Sequence, residues 1–313
     1  MDRYPFCLFR IPENGGRILW EITNTCNYNC AYCIFSSSNK VDKMELSYNE
    51  VLSVLQQLKN KHFTHIKFTG GEPFVRQDMI NILQESKKLG FCVDISTNGS
   101  LITKDKAKAL RDINFDMIHI SLDGFNAETH EKARGKNTFY PTIKGIRNVV
   151  KEGIYTRLGT LIYKDNENQL ENMIIFASEL GVNEIIFSFM EAVGRLEGNS
   201  TLISNRVIED VKQELVLLKE KYKDKILIKY SFTENIDNEC NEHCPAISKF
   251  LYINNLGNVS PCTWVIEKDK KYISELTLKD NTLEQILESE PITSYANYVL
   301  DNNIKGCPVK TRI

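Results

Sequence analysis

The chain has 313 residues, 42% of them hydrophobic and 26% charged, which are ordinary values for a soluble globular protein and exclude a disordered or collagen-like one. Its 39 basic and 41 acidic residues leave a net charge of −2, so no global charge draws it to nucleic acid or to an anionic membrane. No apolar run reaches the ~18 residues that span a bilayer. The opening MDRYPFCLFRIPENGG carries charges and prolines where a signal peptide has an apolar core. The expected location is the cytoplasm, with no membrane and no nucleic-acid partner. In that reducing compartment the nine cysteines are expected as ligands, reactive groups or small core residues rather than as disulfide partners.

Residues 1–16 form an N-terminal segment. From there to about residue 200 one unit recurs: an apolar run of β type, a turn, and a stretch with helical i, i+3, i+4 spacing. The β-type runs are RILWEIT (17–23), HIKFTG (65–70), FCVDIST (91–97), FDMIHISL (115–122), TRLGTLIY (156–163) and NEIIFSF (183–189). Helical spacing falls between them, as at 48–61 and 168–181. Alternating strand and helix predicts a parallel α/β sheet. Six units suit a partial (β/α)6 barrel or an open doubly wound sheet, and either places the active site at the C-terminal ends of the strands. A helix over about 204–223 follows, with Lys219, Lys221, Lys223 and Lys225 as a solvated face. After it come two short strands (ILIKYSF, KFLYINN), a turn at Gly257 and short helices at about 281–289 and 291–300.

The first β-type run leads directly into Cys26, Cys30 and Cys33. Three thiolates on one tight loop can hold three corners of a cubane iron–sulfur cluster, which leaves one iron open to a substrate or cofactor. A structural zinc site wants four ligands, and no fourth Cys or His follows within twenty residues. Zinc with a remote ligand and three plain thiols are the other readings.

Cys-x3-Cys-x-aromatic-Cys after a first strand resembles the cluster loop of the radical S-adenosylmethionine (SAM) superfamily. Gly70-Gly71-Glu72-Pro73, at the end of the second run, resembles the family's GGE motif, which hydrogen-bonds the amino group of the methionyl moiety of SAM. Two glycines let backbone approach a ligand closely, and a carboxylate favours an ammonium. Ser96-Thr97-Asn98-Gly99 and Ser121-Leu122-Asp123-Gly124 end the third and fourth runs, and Arg134 follows. Taken singly these are polar residues at βα turns. The resemblance implies that Ser96, Thr97, Asn98, Ser121, Asp123 and Arg134 reach the ribose and carboxylate of SAM. Arg157 and Thr160 are further candidates, and Gly194-Arg195 resembles a family segment near substrate or adenine. The resemblance covers about residues 17–196.

Cys244, twelve residues, Gly257, four residues, Cys262 resembles the opening of the SPASM and twitch extensions, which hold auxiliary four-iron clusters. KFLYINNLGNVSPC reads as a hairpin that would bring those two sulfurs together. Cys307 and Cys240 would complete the ligand set, with a three-cysteine site, zinc or no metal as alternatives. A full extension uses seven cysteines, so the four here imply one auxiliary cluster at most. Cys92 reads as a small core residue, Cys7 is unassigned, and His62, His65, His119 and His130 read as strand-edge or surface residues.

The resemblance thus implies a partial (β/α)6 TIM-type barrel over 17–200 and a linker helix with a twitch/SPASM-like iron–sulfur extension over 201–313. It implies an enzyme that cleaves SAM reductively to a 5′-deoxyadenosyl radical and abstracts a hydrogen atom from its substrate. The implied cofactors are a [4Fe–4S] cluster, SAM and one auxiliary cluster, served by an electron donor such as flavodoxin or ferredoxin. The implied substrate is a ribosomally synthesised peptide undergoing cross-linking, thioether formation or epimerisation. A small molecule (an amino sugar or nucleotide) is the alternative. A non-catalytic iron–sulfur scaffold or electron-transfer protein is the second, and the strand-end motifs count against it.

Overall fold

The computed structural model of the chain describes residues 15–41, 44–231, 244, 246, 249–268 and 270–303. The six β-type runs form β1 (Gly16–Thr23), β2 (Phe63–Gly70), β3 (Cys92–Thr97), β4 (Met117–Ser121), β5 (Thr156–Ile162) and β6 (Glu184–Phe189). Between them lie α1 (Tyr48–Asn60), α2 (Met79–Lys88), α3 (Lys104–Asp112), α4 (Ala127–Arg134), α5 (Phe139–Lys151) and α6 (Leu170–Glu179). The local chemistry of α1 shows why such segments fold as they do. Ser47 accepts from the Glu50 N–H while the Glu50 carboxylate accepts from the Ser47 N–H, so two donors at the helix start are satisfied reciprocally. Val51, Val54, Leu55 and Leu58 then fall on one face and are fully buried.

The strands have two different faces. Outward-pointing Ile18, Trp20, Ile66, Phe68, Val93, Ile95, Ile118, Ile120, Leu158, Ile185 and Phe187 are completely buried beneath the helices. Each such side chain contributes about 1.5–3 kcal/mol by leaving water. The opposite face is polar: Lys67 and Thr69 on β2, Asp94 and Ser96 on β3, His119 and Ser121 on β4. Adjacent strands pair in parallel and in chain order from β1 to β6. An order that never reverses is that of a barrel wall; a doubly wound sheet reverses at its switch point. The polar faces therefore line the lumen of a partial barrel.

The later chain extends this same sheet at both edges. After α7 (Ile208–Lys221), β7 (Leu227–Tyr230) adds in parallel to β6. β8 (Phe250–Ile253) adds in parallel to β1, and β9 (Val259–Ser260) returns antiparallel to β8 across the Gly257 turn. Then come α8 (Thr263–Lys268), α9 (Leu283–Leu287) and α10 (Glu290–Asp301). α9 is tied to α1, where the Gln57 side chain accepts from the Leu283 N–H at 2.7 Å.

The lower lumen holds a network of charges. Arg17 pairs with Asp94, and Glu184 forms an ion pair with Arg157 at 2.6 Å and accepts from Lys229 at 3.2 Å. His119 faces this lumen and His130 is completely buried in α4, so neither is the surface or edge residue that its position suggested. Desolvation holds His119 well below the usual imidazole range, and it lowers His130 to about 4. Lys67 lies among these groups. Desolvation, with the nearby Arg17 and Arg157 cations, lowers its ammonium from 10.5 to about 7, against the pull of Asp94 and Glu184.

Lys67 therefore holds its proton up to about pH 10.5 in the unfolded chain but only below about pH 7 in the fold. Unfolding takes up a proton between those values, so native stability rises with pH across that window and is least where Lys67 is charged in both states. In urea unfolding, Lys67→Met is expected to abolish this rise and to be the more stable protein at neutral pH. An equal rise in both proteins would show that the ammonium is solvated.

Candidate active site

The loop that carries Cys26, Cys30 and Cys33 lies across the C-terminal ends of the strands, and the residues between the cysteines hold it there. Asn27 donates to Ser100 and accepts from the Asn98 side chain, both at 2.9 Å beyond the end of β3. The Tyr28 hydroxyl donates to the Thr138 carbonyl at 2.9 Å, and the Ala31 N–H donates to the Ala133 carbonyl at 2.9 Å. Tyr32 donates to Asp123 at 2.5 Å, beyond the end of β4. Cys26 closes the loop by donating its N–H to the Ser38 carbonyl at 2.7 Å.

The Gly70-Gly71 pair has a steric reason to be glycine. A Cβ on Gly70 would lie 2.1 Å from the Thr23 carbonyl oxygen, and one on Gly71 would lie 2.3 Å from that of Thr25. The turn presses against the backbone leading into the cysteine loop, with Gly71 N–H donating to Thr23 and Glu72 N–H to Thr25 at 2.8 and 2.9 Å. Glu72 itself is completely buried. Its carboxylate accepts from the Phe74 N–H, the Thr97 hydroxyl and the Asn98 N–H at 2.7–3.0 Å. It pins the end of β2 to that of β3 and does not line the cavity described below. Burial raises its pKa above the usual carboxylate range while these hydrogen bonds oppose the rise.

A cavity of about 350 Å³ opens at these strand ends. Cys26, Cys30 and Cys33 line it together with Gly70, Gly71, Ser96, Thr97, Asn98, Ser121 and Arg134. Glu72, Pro73 and Asp123 sit behind this surface. Asp123 is fully buried and fixes Arg134 at 2.6 Å, while the Arg134 guanidinium lies 5.3 Å from the centre of the Tyr32 ring. Arg157 and Thr160 do not reach the cavity: the first pairs with Glu184 and the second donates to the Leu122 carbonyl. Phe35, Leu161, Phe189 and Trp264 add apolar lining, with Ser188, Glu191 and Ser231 as further polar residues.

The donor chemistry fits an iron–sulfur cluster. Desolvation pushes the Cys26 thiol up to about 12 and raises that of Cys30, so both hold their protons in the metal-free chain and would release them on ligation. Among the described residues no group of three or more His, Cys, Asp or Glu side chains is placed to share a single metal ion. A cubane makes a different demand, since each of three cysteines takes its own iron at a separate corner.

Arg195 occupies a place that the sequence did not suggest. It lies outside the cavity wall, and its N–H donates to the Cys33 carbonyl at 3.0 Å while its guanidinium donates to the carbonyls of Cys30 and Ser37. In the C-terminal region, Cys244 and Cys262 pack against one small apolar cluster of Ala246, Val265, Tyr272, Tyr295 and Val299. The Tyr295 hydroxyl donates to the Cys244 sulfur at 3.6 Å. Cys7, Cys240 and Cys307 lie outside the described residues. Cys92 is half-buried on the lumen face of β3.

Three cysteines on one loop thus stand over a glycine turn and polar strand ends in a partial parallel barrel. Residues 20–177, half of the chain, match the radical SAM superfamily, and the chain belongs to it. It is an enzyme of that family, whose cofactors are a [4Fe–4S] cluster and SAM. The AdoMet-dependent heme synthase of Methanosarcina barkeri (strain Fusaro / DSM 804) is 26% identical over 272 residues, which are 80% of this chain and 78% of that protein. The Fe-coproporphyrin III synthase of the same organism is 29% identical over 205 residues, 65% of this chain and 51% of that one. A probable GTP 3′,8-cyclase of Saccharolobus islandicus (strain Y.N.15.51 / Yellowstone #2) is 33% identical over 175 residues, 55% and 56% of the two chains. The chain thus spans about half the length of two of these relatives. Among solved structures, Streptococcus suis SuiB bound to S-adenosylmethionine superposes with a TM-score of 0.75 at 16% identity, covering 91% of this chain and 68% of that one. Native anSMEcpe with bound AdoMet gives 0.64 at 17% identity, with 89% and 82% covered. At these identities the likeness to both structures is one of fold.

Glu72→Gln tests the hub behind the cavity. It replaces an oxygen that accepts buried donors with an NH2 group facing them, so unfolding of the metal-free protein is expected about 1–3 kcal/mol easier. An unchanged denaturation midpoint would show that water relieves the mismatch.

Proposed function

We propose that Cys26, Cys30 and Cys33 hold the [4Fe–4S] cluster and that SAM lies along Gly70, Gly71, Ser96, Thr97, Asn98, Ser121 and Arg134. The substrate in this reading is a ribosomally synthesised peptide. The observation that carries the cofactor assignment is the single cavity that joins the three cysteines to those strand-end residues. Held there, the cluster would supply the electron for reductive cleavage of SAM, and SAM the radical that abstracts hydrogen. The chain's own residues orient and exclude. The Gly70-Gly71 backbone receives the ammonium, and Arg134, held by Asp123, receives a carboxylate. Phe35, Phe189 and Trp264 keep water from the reacting carbon.

The peptide reading is supported by a fold likeness that runs over most of the chain to SuiB bound to its precursor peptide SuiA, with a TM-score of 0.73 over 91% of this chain. In the same reading Cys244 and Cys262, with Cys240 and Cys307, hold one auxiliary cluster of the twitch or SPASM kind. Trp264, two residues past Cys262, stands in the cavity wall, which would put that cluster's loop beside the substrate. Flavodoxin or ferredoxin is the proposed electron donor. Among the described residues no helix is long and apolar enough to cross a membrane. A small-molecule substrate, tetrapyrrole or nucleotide, is the second reading, favoured by the heme-synthase relative matched over 80% of the chain.

The test is chromatography of 5′-deoxyadenosine after anaerobic cluster reconstitution with SAM and dithionite. Native protein is expected to form it, and Cys30→Ala to fall to background with a loss of bound iron. Three additions separate the substrate readings: a synthetic peptide from a short reading frame beside the gene, iron-coproporphyrin III, and GTP. Stimulation by the peptide, with a change in its mass spectrum, supports the first reading; stimulation by either small molecule alone replaces it with the second.

A further inference from the structure

Two arginines flank the cysteine loop, and they stand in different electrostatic situations. Arg134 places its charge on buried Asp123 at 2.6 Å. Among the described residues Arg195 bonds only to backbone: its N–H donates to the Cys33 carbonyl, and its two terminal guanidinium nitrogens donate to the carbonyls of Cys30 and Ser37. Among the described residues no carboxylate pairs with it. Gly194, just before it, has φ +56°, and a Cβ there would lie 2.5 Å from the Ile34 Cα and 2.6 Å from the Cys33 carbonyl oxygen. The backbone entering Arg195 is therefore pressed against the segment that the guanidinium grips, and the three bonded carbonyls span the loop from its second cysteine to its closing turn.

We propose that Arg195 is a positioning residue for the cluster with a second, electrostatic task. It clasps the cysteine loop in the shape that receives the cluster, and its charge beside Cys30, which no described carboxylate pairs, makes that cluster easier to reduce. Reduction adds one electron to the cluster and changes no bond in the protein, so a fixed cation stabilises the product more than the reactant and raises the potential. The clasp supports the same end, because bonds that fix the ligand-bearing backbone tune a metal centre as ligand identity does. The inference rests on the assignment of Cys26, Cys30 and Cys33 as ligands, which iron retention in Cys30→Ala checks independently.

The experiment is a redox titration of the full chain, reconstituted anaerobically, with dithionite as reductant and paramagnetic resonance as readout. The cluster concerned is the one whose signal changes when SAM is added. Arg195→Gln keeps hydrogen-bond donors but loses the charge, and its potential is expected to be more negative than the native one. Arg195→Lys keeps the charge but reaches one carbonyl, so a near-native potential with reduced iron loading is expected. A fully loaded Arg195→Gln protein with native potential would overturn the electrostatic task, as would equal lowering in both variants. If Arg195→Gln holds too little iron to titrate, native and Arg195→Lys proteins are compared, and a lowered potential in the latter overturns the proposal. Hydrogen exchange of the metal-free protein tests the clasp alone: residues 26–38 are expected to exchange faster in Arg195→Gln while α1 is unchanged. Equal protection in both proteins would remove the clasp.

Discussion

The site depends on one close contact between backbones. The chain leaving β1 lies so near the turn after β2 that neither Gly70 nor Gly71 can carry a side chain, and two hydrogen bonds, from Gly71 to Thr23 and from Glu72 to Thr25, fix the approach. Everything that follows Thr25 is the cysteine loop. Its height above the barrel is set by this contact before any sulfur is involved. Glu72 carries the constraint onward, because its buried carboxylate takes the Thr97 hydroxyl and the Asn98 N–H and so holds the end of β3 in the same frame. One motif of four residues thus relates three strand ends to each other.

The loop is then gripped from all sides by side chains that are not ligands. Asn27 reaches the end of β3, Tyr28 reaches α5, Tyr32 reaches Asp123, and Arg195 closes from beyond β6. The cavity that results combines polar strand ends with apolar lining from Phe35, Leu161, Phe189 and Trp264. Such a mixed lining offers hydrogen bonds to a polar cofactor and apolar contacts to carbon.

Much of this was legible in the sequence, and what was not has common physical causes. Strands β1 to β6 announce themselves because a barrel wall imposes a two-faced pattern on each of them. The cysteines and the glycine turn announce themselves because their chemistry is rare. Partners across large sequence distances leave no such mark. Nothing in KFLYINN says that it lies parallel to β1, where Arg17 faces Phe250. Glu72 reads as a ligand group until the fold shows Phe74, Thr97 and Asn98 already occupying its oxygens. His119 reads as an edge residue because a polar position in an alternating strand can face water or a lumen, and only the curvature of the whole sheet decides between them. Arg195 reads as a ligand-facing arginine because bonds to carbonyls carry no residue code.

The pairing of β8 with β1 also fixes an order of events during synthesis. The cysteine loop emerges among the first tenth of the chain, yet the strand beside β1 and the Trp264 wall of the cavity are made about 230 residues later. At about 5–20 residues per second this is an interval of roughly 10–50 s. Through that interval β1 lacks β8 at one edge and the cavity lacks Trp264. Parallel pairing over such a distance is also slow to find. A cell that loads this enzyme with iron and sulfide must therefore either protect a nascent chain from oxygen or wait for the finished one.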